Sequence, residues 1–162
     1  MKRFISASTV ALVVIAMLGL AGQALAGDQV PFKGSLEGLV TRSGAPPVVS
    51  VDIEGHGAAS QLGRFAVSIP HSVNVVTRIA TGEYLFVAAN GDTLTATFTG
   101  AAAPTADPNV LAIVEDATIT GGTGRFAGAT GSFRVERLYD TVAGTTAGSF
   151  EGSVSSPGSA KQ

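Results

Sequence analysis

The chain has no cysteine and no tryptophan, and only 14% of its residues are charged. Without cysteine it can form no disulfide, no thiolate metal site and no thiol nucleophile. Ten Lys and Arg against twelve Asp and Glu leave a formal net charge of −2, which lacks the basic footprint of a nucleic-acid-binding protein. No Gly-Lys-Ser/Thr follows a glycine loop and no Gly-x-Ser-x-Gly occurs, so neither a P-loop nor a hydrolase nucleophile elbow is indicated. What the chain does have is 45% hydrophobic residues and 21 glycines in 162 positions. That is enough apolar content for one folded domain and too much for a disordered one.

Residues 1–26 read as a cleaved secretory signal peptide. Lys2 and Arg3 give a positive start, and Val10–Leu20 is an apolar run of 11 residues. A bilayer span needs about 20 such residues, whereas a run of this length fits the core of a signal peptide. Ala24-Leu25-Ala26 is a small-x-small cleavage site, with Gly27 as the first mature residue. No twin arginine and no lipid-accepting cysteine are present, so the expectation is general secretion to the periplasm or the medium, with no membrane span in the mature protein. Loss of Lys2 and Arg3 leaves the mature chain at −4.

The mature chain alternates with a period of two, the mark of strands with two distinct faces. Val49, Val51 and Ile53 alternate with Ser50, Asp52 and Glu54; Leu94, Ala96 and Phe98 with a row of threonines; Phe133 and Val135 with Ser132, Arg134 and Glu136. Eight strands are expected, at about 31–42, 48–58, 62–77, 82–90, 93–100, 110–119, 129–139 and 145–155, in a single domain over 27–155 with a frayed tail at 156–162. Pro70 predicts a break or bulge in the third, because proline donates no ladder hydrogen bond. Asn90-Gly91 suits a tight hairpin. Gly34-Ser-Leu-Glu-Gly38 echoes Gly148-Ser-Phe-Glu-Gly152, and Gly63-Arg-Phe-Ala66 echoes Gly124-Arg-Phe-Ala127. If the first echo is structural, the terminal strands are neighbours in a closed eight-stranded antiparallel barrel. An outer-membrane barrel would need aromatic girdles on its outer wall, and seven phenylalanines and two tyrosines after residue 26 supply few residues for them.

The segment Thr120–Gly131 is the most distinctive. Gly122-Thr-Gly124-Arg-Phe-Ala127 satisfies a dinucleotide-binding pattern, but such a site needs a helix opening inside the motif, and the residues that follow alternate like a strand. The glycines Gly121, Gly122, Gly124, Gly128 and Gly131 are therefore read as a structural turn, with Phe126 among them.

From Ile119 to Phe133 the sequence Ile-Thr-Gly-Gly-Thr-Gly-Arg-Phe-Ala-Gly-Ala-Thr-Gly-Ser-Phe resembles the signature of the allene oxide cyclase and dirigent barrel superfamily. The wider chain, including Leu62-Gly-Arg-Phe65 and Ala88-Ala-Asn-Gly-Asp92, is similar to secreted bacterial proteins of this barrel type. The resemblance implies an all-β, eight-stranded antiparallel barrel with an apolar lumen, often a homodimer or homotrimer, in which Phe126 plugs the barrel. It carries no catalytic residue across, because the match is confined to the turn.

Candidate chemistry is sparse. Glu115 and Asp116 interrupt an apolar run, and as neighbours on a strand they point to opposite faces; one of them should enter the lumen. There, alone or paired with Arg134 or Arg137, it would serve as a general acid or ligand anchor, with those arginines as candidate ligand contacts; the alternative is a structural buried ion pair or an acid at the barrel rim. Tyr84 and Tyr139 are candidate lumen hydrogen-bond donors or ordinary packing residues. Arg64 and Arg125, each before Phe in the echoed Gly-Arg-Phe, could bind carboxylates, and surface strand positions explain them as well. His56 and His71 with Glu54 would make at most an incomplete metal site, since three or four converging ligands are required; no metal and no cofactor are expected. Strand six, apolar on both faces through Leu111–Val114, hints at an oligomer contact. The reading favoured by this pattern is a small apolar molecule bound in the lumen; the alternatives are an isomerase or cyclase using a lumen carboxylate, and a self-associating envelope or extracellular protein.

Overall fold

Alternating apolar and polar residues can bury one face of a sheet only if the sheet packs against a second layer or closes on itself. In the computed structural model, which describes residues 28–158, it closes. Nine segments form one antiparallel sheet: β1 (Gln29–Ser43), β2 (Val48–Ala59), β3 (Gly63–Ser68), β4 (His71–Asn74), β5 (Ile79–Ala88), β6 (Thr93–Pro104), β7 (Val110–Gly122), β8 (Gly131–Asp140) and β9 (Thr145–Ser155). The order is β1-β9-β8-β7-β6-β5-β3-β2, and β2 pairs back onto β1 to close the barrel.

β3 and β4 are two halves of one barrel strand. Both lie between β2 and β5, and the register runs through the gap without a slip: Ser68 faces Glu54 and Leu85, His71 faces Val51 and Gly82. The interruption falls at Pro70, whose missing N–H leaves one rung empty, while its carbonyl still accepts from Glu83 N–H at 3.2 Å. The barrel is thus eight-stranded, as the alternation predicts. The strands run from Gln29 to Ser155; residues 1–27, where the leader at 1–26 is expected, and residues 159–162 lie outside the described residues.

The first echo lies on the seam. β1 and β9 pair so that Gly34 stands opposite Phe150 and Leu36 opposite Gly148. A β-carbon on Gly34 would sit 2.7 Å from the Phe150 ring, so Gly34 makes room for that inward side chain, whereas Gly148 clears space on its other side, for Arg137 of β8. The second echo marks one end. Gly63 and Gly124 both take positive φ (71° and 59°) just before an Arg-Phe pair, and Arg125 donates to the Leu62 carbonyl at 3.2 Å.

The glycine-rich segment makes a single 3-10 turn, Gly124–Phe126, before β8. Gly121, Gly124, Gly128 and Gly131 all have positive φ, a region L-residues with side chains rarely enter, and a β-carbon on Gly122 would lie 2.1 Å from the Thr93 carbonyl. No helix opens there to present free N–H groups to a phosphate. Phe126 is buried together with Leu62 and Ala129, closing this end of the barrel. All seven phenylalanines from Phe32 onward lie in the core, so none contributes to an aromatic girdle outside. Among the described residues no helix is long and apolar enough to cross a membrane.

Candidate functional site

Inward residues change character along each strand. Toward the plugged end, Phe32, Phe65, Phe86, Phe133 and Phe150 meet edge-on or tilted, with centroids 5.0–6.3 Å apart, a favourable aromatic geometry. Toward the other end, β5 and β6 offer only Gly82, Ala80, Gly100 and Ala102. A cavity of about 240 Å³ results, walled by Val40, Val51, Ile53, Val73, Leu111 and Ile113 among others.

Between these two regions lies a polar layer. Glu115 and Arg137 form a buried ion pair, their side chains 0% and 4% exposed. Arg137 grips the carboxylate with two donors, Nη2 to Oε1 at 2.6 Å and Nε to Oε2 at 3.1 Å, the bidentate fork that suits a carboxylate best. Its Nη1 donates to Thr146 Oγ1 at 3.1 Å, and Thr146 in turn donates to the Leu138 carbonyl at 2.8 Å. Tyr84 O–H donates to Glu115 Oε2 from below, its ring stacked on Phe86 at 5.4 Å. Burial first, then the charge of Glu115, pushes the Tyr84 phenol well above its ordinary range, so it stays a donor. Burial works against the Arg137 charge, but the hydrogen bonds and charge of Glu115 outweigh it and raise the guanidinium above its usual value.

His71 completes the layer on β4. Its Nδ1 lies 2.8 Å from the Ile69 carbonyl, which can only accept, so Nδ1 carries the proton and Nε2 is left as an acceptor on a residue that lines the cavity. Burial, helped by the positive charge of Arg137, lowers its pKa from the ordinary 6.5, against the opposing pull of Ile69, Glu115 and Asp52.

Each of these bulky polar groups has a glycine across the ladder: Gly100 opposite Glu115, Gly148 opposite Arg137 and Gly82 opposite His71. A β-carbon at those glycines would come within 2.3–2.5 Å of the side chain opposite. The sequence places the bulky polar groups and clears the space for them in the same step.

The structure thus divides the sequence candidates. Glu115, Arg137 and Tyr139 line the cavity, and Tyr84 braces the layer from beneath. Asp116 and Arg134 point outward, paired with each other at 3.0 Å on the solvent face, with Arg134 also 3.5 Å from Glu136; strand alternation denies them the lumen. Ala112 and Val114 alternate with Leu111 and Ile113, which line the cavity. His56 lies on the outer wall, 3.1 Å from Glu37, while His71 lines the lumen, so the two imidazoles stand on opposite faces of the sheet. No group of three or more potential metal ligands occurs among the described residues. Two charged cavity residues escaped the sequence reading, Arg42 and Arg78. Arg42 shares the parity of Leu36 and Val40 on β1, and that row was its available signal; Arg78 sits in a turn, where parity says nothing.

No known family's sequence profile matches the chain, and no curated protein matches it in sequence. Its fold is that of a dirigent-like barrel. Over 91% of this chain and 98% of the other, the structure superposes on the pterocarpan synthase dirigent protein GePTS1 with a TM-score of 0.58 at 14% sequence identity. Identity that low shows shared architecture, a closed eight-stranded antiparallel barrel, and the activity must be argued from the site itself.

Proposed function

We propose that this dirigent-like barrel binds a small, mostly apolar molecule in its lumen. The observation that carries the reading is the hollow half of the barrel: an apolar-walled cavity of about 240 Å³ over a polar floor in which Arg137 is hydrogen-bonded to Glu115 and Thr146. Ligand sites are typically concave and largely apolar, with a few placed polar groups, and this volume, just under the roughly 300–1,000 Å³ usual for drug-sized ligands, suits a compact molecule. Export by the 1–26 leader, to the periplasm or the medium, belongs to the same proposal; the mass of the mature N-terminus tests it, and a chain still beginning at Met1 would refute it.

The decisive experiment fills the cavity. Ala102→Phe, on an inward position of the hollow half, should leave the circular dichroism of the barrel intact and abolish both ligand-induced rises in melting temperature and any bound mass in native mass spectrometry. Binding that survives the substitution, or a wild-type protein that responds to no compact lipophile, would end the proposal.

The second reading, an isomerase or cyclase, has one observation in its favour: Glu115 lines the cavity. Both of its oxygens are already engaged, by Arg137 and Tyr84, so it would have to exchange those partners for a substrate before acting as a general acid. Turnover that disappears in Glu115→Gln while binding persists would favour this reading over simple binding.

A further inference from the structure

The cavity is electrostatically lopsided. Three guanidinium groups and one carboxylate line it, and the carboxylate is already held by Arg137. Arg42 and Arg78 remain. Among the described residues neither guanidinium has an ion-pair, side-chain hydrogen-bond or ring partner, although the chain as a whole carries more acids than bases. Both are exposed and both stand where the cavity opens, Arg42 near the end of β1 and Arg78 in the turn entering β5.

Arg78 is also fixed in an unusual way. Its φ is +60°, a left-handed conformation that costs a residue with a side chain on the order of 1 kcal/mol. The surrounding structure holds it there: its N–H donates to the Asn74 carbonyl at 2.7 Å and its carbonyl accepts from Ala102 at 3.1 Å, while Asn74 Oδ1 accepts from the N–H groups of Val76 and Thr77 at 3.0 and 3.1 Å. Glycine would be easier at this position, yet a cationic residue occupies it.

We propose that the lumen ligand is a compact organic anion: an apolar body seated among Val40, Ile53, Leu111 and Ile113, with a carboxylate or similar group directed to the mouth and met by Arg42 and Arg78. This rests on the lumen-binding reading above and adds the charge and orientation of the ligand. The guanidinium fork pairs with planar carboxylates, and at the mouth the head group keeps part of its hydration, so the pairing escapes the penalty of a fully buried ion pair.

The test uses three probes with one ring system: 2-naphthoate, 2-naphthylmethanol and 2-naphthylmethylammonium, titrated by calorimetry into the wild type and into Arg42→Gln/Arg78→Gln. The naphthoate should bind the wild type at least tenfold more tightly than the alcohol, and the ammonium should bind most weakly. The double variant should lose most of that preference while its affinity for the alcohol is unchanged, and added salt should reduce the preference in the wild type. Equal affinity for naphthoate and alcohol, or a preference that persists in the double variant, would overturn the anion inference and leave the lumen-binding reading standing. Failure of all three probes in the wild type would overturn both.

Discussion

Along β8 the inward row runs Phe133, Val135, Arg137, Tyr139, passing from a packed interior to an open one within the length of a single strand. β5 does the same, from Phe86 and Tyr84 to Gly82 and Ala80. At the plugged end, interlocking rings fill the bore. At the mouth, small side chains on β5 and β6 leave it hollow. The same backbone therefore does two things: one half supplies the burial that stabilises the domain, and the other gives up burial and leaves a cavity. The Glu115–Arg137 pair marks the boundary, satisfied from below by Tyr84 and from the side by Thr146.

The contrast can be broken hardest at that boundary. Arg137→Met should leave Glu115 buried without its counter-charge and cost about 3–5 kcal/mol, the usual effect of removing one member of a buried pair; urea denaturation measures it. Replacing both, as Glu115→Leu/Arg137→Met, should recover a large part of that loss, and full additivity of the two single changes would show that they do not act as a pair. Next comes the contrast between the halves. Phe86→Ala in the packed half should cost about 3–5 kcal/mol, whereas Ile113→Ala on the cavity wall should cost no more than about 2 kcal/mol, because one side of that residue has no neighbour to lose. Equal losses would mean that the mouth half is as tightly packed as the plug.

A smaller effect lies in acid. Burial keeps the folded-state pKa of His71 below the ordinary 6.5, so as pH falls through that value the unfolded chain takes up a proton that the folded chain still refuses. Stability should therefore drop below pH 6.5 until folded His71 titrates too. The melting temperature of His71→Gln should fall less steeply over the same range than that of the wild type. The smallest effect belongs outside: Asp116→Asn, which breaks the exposed pair with Arg134, should change stability by less than about 1 kcal/mol.

Much of this architecture could be read from the residues. The strand alternation, the break at Pro70 and the paired glycine echoes predicted the closed barrel, because a sheet's period and its turn chemistry are local. The choice between Glu115 and Asp116 was also within reach: both rows are apolar before these acids, but beyond them Ala117 and Ile119 keep the row of 115 apolar while Thr118 and Thr120 make the row of 116 polar. His71 was harder, because the face it takes beyond Pro70 depends on whether the break preserves register, which neighbouring strands decide. Arg78 was invisible, because its position follows from a turn held by Asn74 and Ala102.

The glycines opposite Glu115, Arg137 and His71 carry a consequence for how such a bore can diversify. Its inner surface is written in two-letter words spanning neighbouring strands, one letter bulky and the other blank. Enlarging the blank alone collides with its partner, and shrinking the bulky letter alone opens a void, so a descendant with a differently lined bore would have to rewrite both letters of a word together.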